Sequence, residues 1–390
     1  MQLGIGAGAD LGAVLDYFET PKGLYDSSVL EWVACEGVSH SSVEKLTNTS
    51  LEDADRIIDT CNKNGWQIIT FDDSRYPELL KDIPRPPAVL YVAGDINCLK
   101  DKLTVAMVGT RKASAYSLKA ARYLAKGISD CGAVVVSGGA LGVDSASHEG
   151  ALKGGGITVA VLGCGLGTDY LKANEKLRSD IVAKGGALIT EFPPYTKADR
   201  TTFPIRNRLI SGLSRCVIVV EAAQKSGSLI TAEDARRQGR DVFAVPSSIF
   251  DPAFQGTNKL IDEGAYVATG PAAVVNRYKD EYYTLNVQNA ESMYKISESK
   301  YGANAPEQKQ LTFDRISETR HSDSERISKA ANLTGMSKTV YDALIDDGFT
   351  SIDELAAQTG IADSKLNTVL TLLEVKGLIK KTEGERYSKV

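Results

Sequence analysis

Thr104-Val-Ala-Met-Val-Gly-Thr-Arg-Lys112 carries five apolar or β-branched residues that end on glycine and a pair of cations, and its form recurs down the chain. Val134-Val-Val, Ile157-Thr-Val-Ala-Val-Leu, Ala187-Leu-Ile-Thr, Cys216-Val-Ile-Val-Val and Asp241-Val-Phe-Ala-Val are further short apolar runs, each followed by a helical stretch. Strands that are apolar on both faces and alternate with helices predict an α/β fold, a parallel sheet covered by helices on both sides. Ligands of such sheets bind beyond the carboxyl ends of the strands, so function is expected in the loops that follow these runs.

Upstream, Trp66-Gln-Ile-Ile-Thr-Phe and Ala88-Val-Leu-Tyr-Val read as two more strands. Between them, Tyr76-Pro-Glu-Leu-Leu-Lys-Asp-Ile-Pro-Arg-Pro-Pro is expected to act as a hinge between domains. Residues 1–72 read as a small helical domain, with apolar residues at helical spacing in Leu30-Glu-Trp-Val-Ala and Leu51-Glu-Asp-Ala-Asp-Arg-Ile-Ile and with Ser50 as an N-cap. The α/β domain with its lead-in spans 73–277. Residues 278–332, rich in Ser, Glu, Lys, Asn and Gln, predict a flexible linker, because so few apolar groups cannot offset the entropy of ordering. From 333 to 390, three helical segments, one opening with a capping box at Ser351, and a terminal strand pair around Gly384 predict a winged helix.

The 390 residues carry a formal net charge of -5, which excludes a surface coated in positive charge; any nucleic acid must be held in a local basic groove. The six cysteines are scattered, with no C-x-x-C pair and no neighbouring histidines, so reduced thiols and no metal are expected. The amino terminus lacks a cationic start followed by an apolar run, and no stretch of about 18 apolar residues occurs, so a cytoplasmic protein without a membrane span is expected.

Four loops could carry chemistry. Gly109-Thr110-Arg111-Lys112 precedes a helix, so backbone N–H groups and two cations suit an anion, or else form a solvated turn. Gly138 and Gly139 allow close approach of a phosphate; His148, four residues after Asp144, reads first as a packing partner and second as an acid or base. Between Glu191 and Arg215, five cations, Lys197, Arg200, Arg206, Arg208 and Arg215, face only Asp199. Within that run Phe203 and Asn207 stand beside Arg206 and Arg208, the mixture expected where a base stacks and phosphates are held. Lys225-Ser226-Gly227-Ser228-Leu229-Ile230-Thr231 opens a helix with hydroxyls that can cap it or meet an anion, while Glu233 and Asp234 suit the helix dipole. Gly163-Cys164-Gly165-Leu166-Gly167 lacks the spacing and position of a dinucleotide fingerprint, so no cofactor is expected.

Taken together, Ser137-Gly-Gly-Ala-Leu-Gly-Val-Asp, Thr190-Glu-Phe-Pro-Pro, Phe203-Pro-Ile-Arg-Asn-Arg-Leu-Ile-Ser-Gly-Leu-Ser, Lys225-Ser-Gly-Ser-Leu-Ile-Thr-Ala and Gly239-Arg-Asp-Val-Phe-Ala-Val-Pro closely resemble the DNA-processing A (DprA/Smf) family over about residues 72–270. That resemblance implies a Rossmann-like domain flanked by a SAM-like helical start and a winged-helix end. It implies a homodimer that binds incoming single-stranded DNA in natural transformation and loads the RecA recombinase, without catalysis. By motif, DNA would meet Arg111, Gly138, Gly139, Phe203, Arg206, Asn207, Arg208, Lys225, Ser226, Ser228 and Thr231, with phosphates on the cations and glycine N–H groups and a base on Phe203. Two positions depart from the family pattern: Ser247 follows Pro246 where glycine is common, which suggests a strained turn, and Gly139 replaces a larger residue.

Two other readings stand beside this one. A nucleoside-monophosphate phosphoribohydrolase of the lysine-decarboxylase-like (LOG) type shares this kind of sheet, and Thr231-Ala-Glu-Asp faintly echoes its motif, but the Pro-Gly-Gly run expected before it is absent. Alternatively the carboxy-terminal module is the chief DNA binder, although its recognition helix offers only Lys365 and Asn367, thin for reading a major groove.

Overall fold

The computed structural model describes residues 2–170, 172–290, 333–344, 350–376, 378–382 and 386–389. It divides into two compact units, Met1–Ala303 and Asn304–Val390.

The first unit is built on nine strands: β1 (Gln67–Thr70), β2 (Val89–Gly94), β3 (Thr104–Val108), β4 (Val134–Ser137), β5 (Thr158–Val161), β6 (Ala187–Thr190), β7 (Cys216–Val219), β8 (Asp241–Ala244) and β9 (Tyr266–Val267). Their order is β1-β2-β6-β5-β4-β3-β7-β8-β9. All neighbours from β6 to β9 are parallel, as the apolar runs predict. Alternation along β3 shows why both faces are covered. Val105 and Met107 pack with Leu124, Ile128 and Val143 on one side, and Ala106 and Val108 pack with Leu209, Leu213 and Ala232 on the other. The chain leaves β3 in one direction through β4 to β6 and returns to β7 on the other side. The gap between the carboxyl ends of β3 and β7 is therefore the topological switch point.

Two sequence expectations are corrected here. The proline-rich stretch is no hinge: β1 and β2 pair antiparallel and join the sheet through β6, so the sheet starts at Gln67, upstream of residue 73. Tyr76 within that stretch is buried and donates its hydroxyl to the Pro87 carbonyl at 2.8 Å. Nor does the chain leave the domain at 278. Tyr278 is buried and donates to Asp241 Oδ2 at 2.6 Å, Asn289 Nδ2 donates to the Asp130 carbonyl at 2.7 Å, and Ala290 is fully buried. The rest of the expected linker, 291–332, lies outside the described residues.

Short helices precede the sheet, and Ser50 forms the expected N-cap, completing a capping box with Asp53. They pack around Val14, Phe18, Leu24 and Trp32, and the Gly8 N–H donates to Glu191 Oε1 at 2.7 Å, tying this layer to the end of β6.

In the second unit, helices Gly335–Ala343, Ile352–Thr359 and Asp363–Val375 enclose a leucine core, with β10 (Thr350–Ser351), β11 (Ile379–Thr382) and β12 (Arg386–Lys389) in the order β10-β12-β11. Ser351 makes the expected capping box with Glu354. Three helices and a small antiparallel sheet form a winged helix. Among the described residues no helix is long and apolar enough to cross a membrane.

Candidate nucleic-acid interface

The loops after β3, β4 and β7 are laced together at the switch point. Thr110 N–H donates to the Glu221 carbonyl at 3.0 Å and Val143 N–H to the Thr110 carbonyl at 3.2 Å. This closeness requires glycine at 142: its φ is +82°, and a Cβ there would lie 2.4 Å from the Thr110 carbonyl oxygen. The buried Glu221 carboxylate accepts from Ser114 N–H at 2.9 Å and Ser114 Oγ at 2.8 Å, fixing the residue that caps helix Ala115–Asp130. Arg111 is left exposed, its guanidinium 4.7 Å from the centre of the half-buried Phe203 ring.

A groove of about 460 Å³ opens there. Arg111, Phe203 and Asn207 line it on one side, and Ser226, Ser228 and Thr231 on the other, at the start of helix Ser228–Arg237. Lys225 is exposed in the turn leading to that helix.

Arg206 and Arg208, expected on phosphates, are both buried, with 4% and 6% of their surface exposed; Arg206 lines the floor of the groove, and Arg208 does not line it. Arg206 Nη1 donates to the Gly138 carbonyl at 2.7 Å and also to that of Val161, so it supports the glycine loop from beneath. Arg208 Nη2 lies 2.7 Å from both oxygens of Glu191, in a buried ion pair outside the groove lining. Gly138 and Gly139 are buried against the same support. A Cβ on Gly138 would lie 2.6 Å from Asp144 Oδ2 and 2.8 Å from Arg206 Nη1, while Gly139 takes φ +66° and suits glycine for that reason. The strain suggested at Ser247 is absent, since neither Ser247 nor Ser248 has a positive φ.

Asp144 and His148 are both interior. Burial pushes the Asp144 carboxyl up, opposed by the Arg206 charge and by the Ala140 N–H at 3.3 Å. His148 Nδ1 is 2.7 Å from Thr158 Oγ1, and burial first, with the Arg206 charge second, holds its imidazole at about 3. Its packing role is thus the one the structure supports. The unfolded chain takes up a proton near 6.5 that the folded state refuses until about 3, so this group makes stability fall as pH drops through that window. The expected slope is at most about 1.4 kcal/mol per pH unit. Urea unfolding of His148→Gln across this range should show a flatter pH dependence than the parent; an equal slope would remove His148 as its source.

Sequence reasoning missed Arg200 as a site residue. It lines the groove, and Asp199, its apparent counter-charge, is occupied by its own turn, accepting from Thr201 N–H and Oγ1 at 2.6 Å each. Arg215 pairs with Glu281 instead of facing the groove. Arg111, Arg200 and Lys225 form no ion pair among the described residues. The only carboxylate in the described lining is Asp144, and Glu233 pairs with Arg237 on the outer face of its helix.

A doubly wound sheet with cations, hydroxyls and an aromatic ring around its switch-point crevice defines a Rossmann-like α/β protein with an anion-receptive groove. The chain belongs to the DprA/Smf family: the model for DNA recombination-mediator protein A matches residues 67–279, and that for the DprA winged helix domain matches 326–385. It is 41% identical to the DNA processing protein DprA of Bacillus subtilis over 61% of this chain and 80% of that one. Against Protein Smf of Synechocystis it is 30% identical over 97% of this chain and 94% of the other. The crystal structure of Streptococcus pneumoniae DprA superposes with a TM-score of 0.62 and 33% identity, covering 70% of this chain and 94% of that one. A Helicobacter pylori DprA structure, described for its single-stranded DNA binding mode, matches with TM-score 0.50 and 31% identity over 56% of this chain and 97% of the other.

Proposed function

We propose that this protein binds single-stranded DNA in the switch-point groove without chemical catalysis. The observation that carries the reading is the set of exposed cations Arg111, Arg200 and Lys225, without an ion pair among the described residues, around a groove with Phe203 in its wall. Phosphates are held by charge and by the half-buried Ser226, with Ser228 and Thr231, 8% and 1% exposed, behind it, and a base stacks at Phe203, an arrangement with little sequence preference. Duplex DNA fits less well, because paired bases cannot turn onto a ring.

Fluorescence anisotropy with oligo-dT across a salt series tests this. Arg111→Ala and Arg200→Ala should each weaken binding and reduce the slope of log affinity against log salt by about 0.7, one phosphate on a single strand. Unchanged slopes in both variants would sink the assignment.

Homodimer formation, delivery of the strand to RecA during natural transformation and residence in the cytoplasm are the reading that family membership supports. Light scattering tests the first, RecA filament assembly on DNA coated with single-strand-binding protein the second, and cell fractionation the third. For the nucleotide-hydrolase alternative the described groove lining offers no carboxylate other than the covered Asp144. Release of adenine from AMP by the pure protein would restore it.

A further inference from the structure

Beyond the groove, the same edge of the sheet carries aromatic surface that the proposed function leaves unused. Phe250 is 89% exposed and Ile249 77% exposed, at the tip of the turn that Ser248 closes after β8. Leaving two large apolar side chains in water costs the free protein solvation energy that burial on a ligand would recover. Tyr116, half exposed in the first turn of helix Ala115–Asp130, donates its hydroxyl to the Pro246 carbonyl at 3.0 Å, and its ring meets Phe254 edge-on at 5.9 Å. Tyr116 therefore joins the β3 loop to the β8 turn. Arg111 and Lys112, both exposed, lie in the chain between the groove wall and Tyr116.

The β8 turn also adjoins the opposite groove wall. Gly256, just past it, donates to the Ala222 carbonyl at 2.8 Å, and a Cβ there would lie 3.1 Å from Leu229, within the segment Ser226–Thr231. Aromatic and apolar side chains interleaved with cations, continuous with an anion-receptive groove, are what a single strand needs when its bases stack as its phosphates follow charge.

We propose that the single-stranded DNA path runs on from the groove past Arg111 and Lys112 to a second stacking platform made by Tyr116 and Phe250. The platform rests on the groove being the primary site. It gives the protein a longer footprint than the groove alone and makes affinity rise with strand length in a second step.

The test is an oligo-dT length series with the full chain, comparing the parent with Phe250→Ala and Phe250→Trp. Phe250→Ala should bind the shortest measurable oligomer as the parent does and lose roughly 5- to 100-fold for longer ones, the loss of one stacked base. Phe250→Trp should show indole fluorescence quenching with long oligomers only, a signal that a purely structural role would not produce. Equal affinities at all lengths together with an unquenched indole overturn the platform while leaving the groove standing. A parent that binds no oligo-dT overturns both. Unchanged DNA affinity with an altered sedimentation coefficient in Phe250→Ala assigns the patch to protein association and also overturns the platform.

Discussion

Arg208→Met should destabilise the protein by about 3–5 kcal/mol and leave the salt dependence of DNA binding unchanged. The first figure follows from removing the Arg208 charge from the buried pair with the Glu191 carboxylate, 1% exposed. The second follows from position, because Arg208 is spent on Glu191 and does not line the groove. Glu191 also accepts from Gly8 N–H, so the amino-terminal helices should loosen with the pair and become accessible to proteolysis. The intact pair is not thereby a strong net stabiliser. Arg208 Nε and Nη1 find no acceptor among the described residues, and buried pairs with such gaps are often neutral against an uncharged replacement. Arg208→Met combined with Glu191→Gln, which keeps an oxygen for Gly8, should accordingly recover much of the lost stability. Urea midpoints of the single and double variants measure this. A single variant within about 1 kcal/mol of the parent would remove the buried pair as a source of stability, and one whose salt slope falls by a phosphate's worth would return Arg208 to the DNA.

The parallel strands were legible because burial on both faces leaves a continuous apolar run, and because Gly109, Gly138 and Gly163 mark where such runs end. The edge pair was legible as strands but not as part of the sheet. Pro84, Pro86 and Pro87 signal a break in the same way whether the chain beyond them swings free or packs, and it is Tyr76, Leu80 and Ile83 in the core that decide. Residues 278–290 misled for the opposite reason: Tyr278, Tyr282, Leu285 and Val287 pack on the domain, but they stand at the head of a long polar stretch whose average composition reads as a linker. At the site, the loops, the hydroxyl turn and Phe203 were visible; the fate of each arginine was not. Burial of Arg208 depends on Glu191, seventeen residues upstream, and burial of Arg206 on the carbonyls of Gly138 and Val161, contacts that exist only once the sheet has formed. Arg200 became a groove residue by the converse route, when the exposed Asp199 bonded to the Thr201 and Thr202 N–H groups.

Arg206→Met should lower both stability and DNA affinity while leaving the salt slope as it is, a combination that separates a supporting residue from a phosphate contact. Without the guanidinium, the Gly138 and Val161 carbonyls lose a donor and the glycine loop its support, and Asp144 remains buried without the charge that draws its carboxyl back down. The expected cost is again about 3–5 kcal/mol. Its pH dependence has a definite sign. The folded state of the variant holds a proton on Asp144 above the pH at which the unfolded chain releases it, so the variant loses stability as pH rises from the ordinary carboxylate range towards the raised folded value. That trend is opposite to the one His148 imposes, and Asp144→Asn added to Arg206→Met should abolish it and restore part of the stability. Urea unfolding as a function of pH reads the first effect and oligo-dT anisotropy in a salt series the second. A salt slope reduced by about 0.7 in Arg206→Met would show that the guanidinium leaves its buried carbonyls to meet a phosphate when DNA arrives.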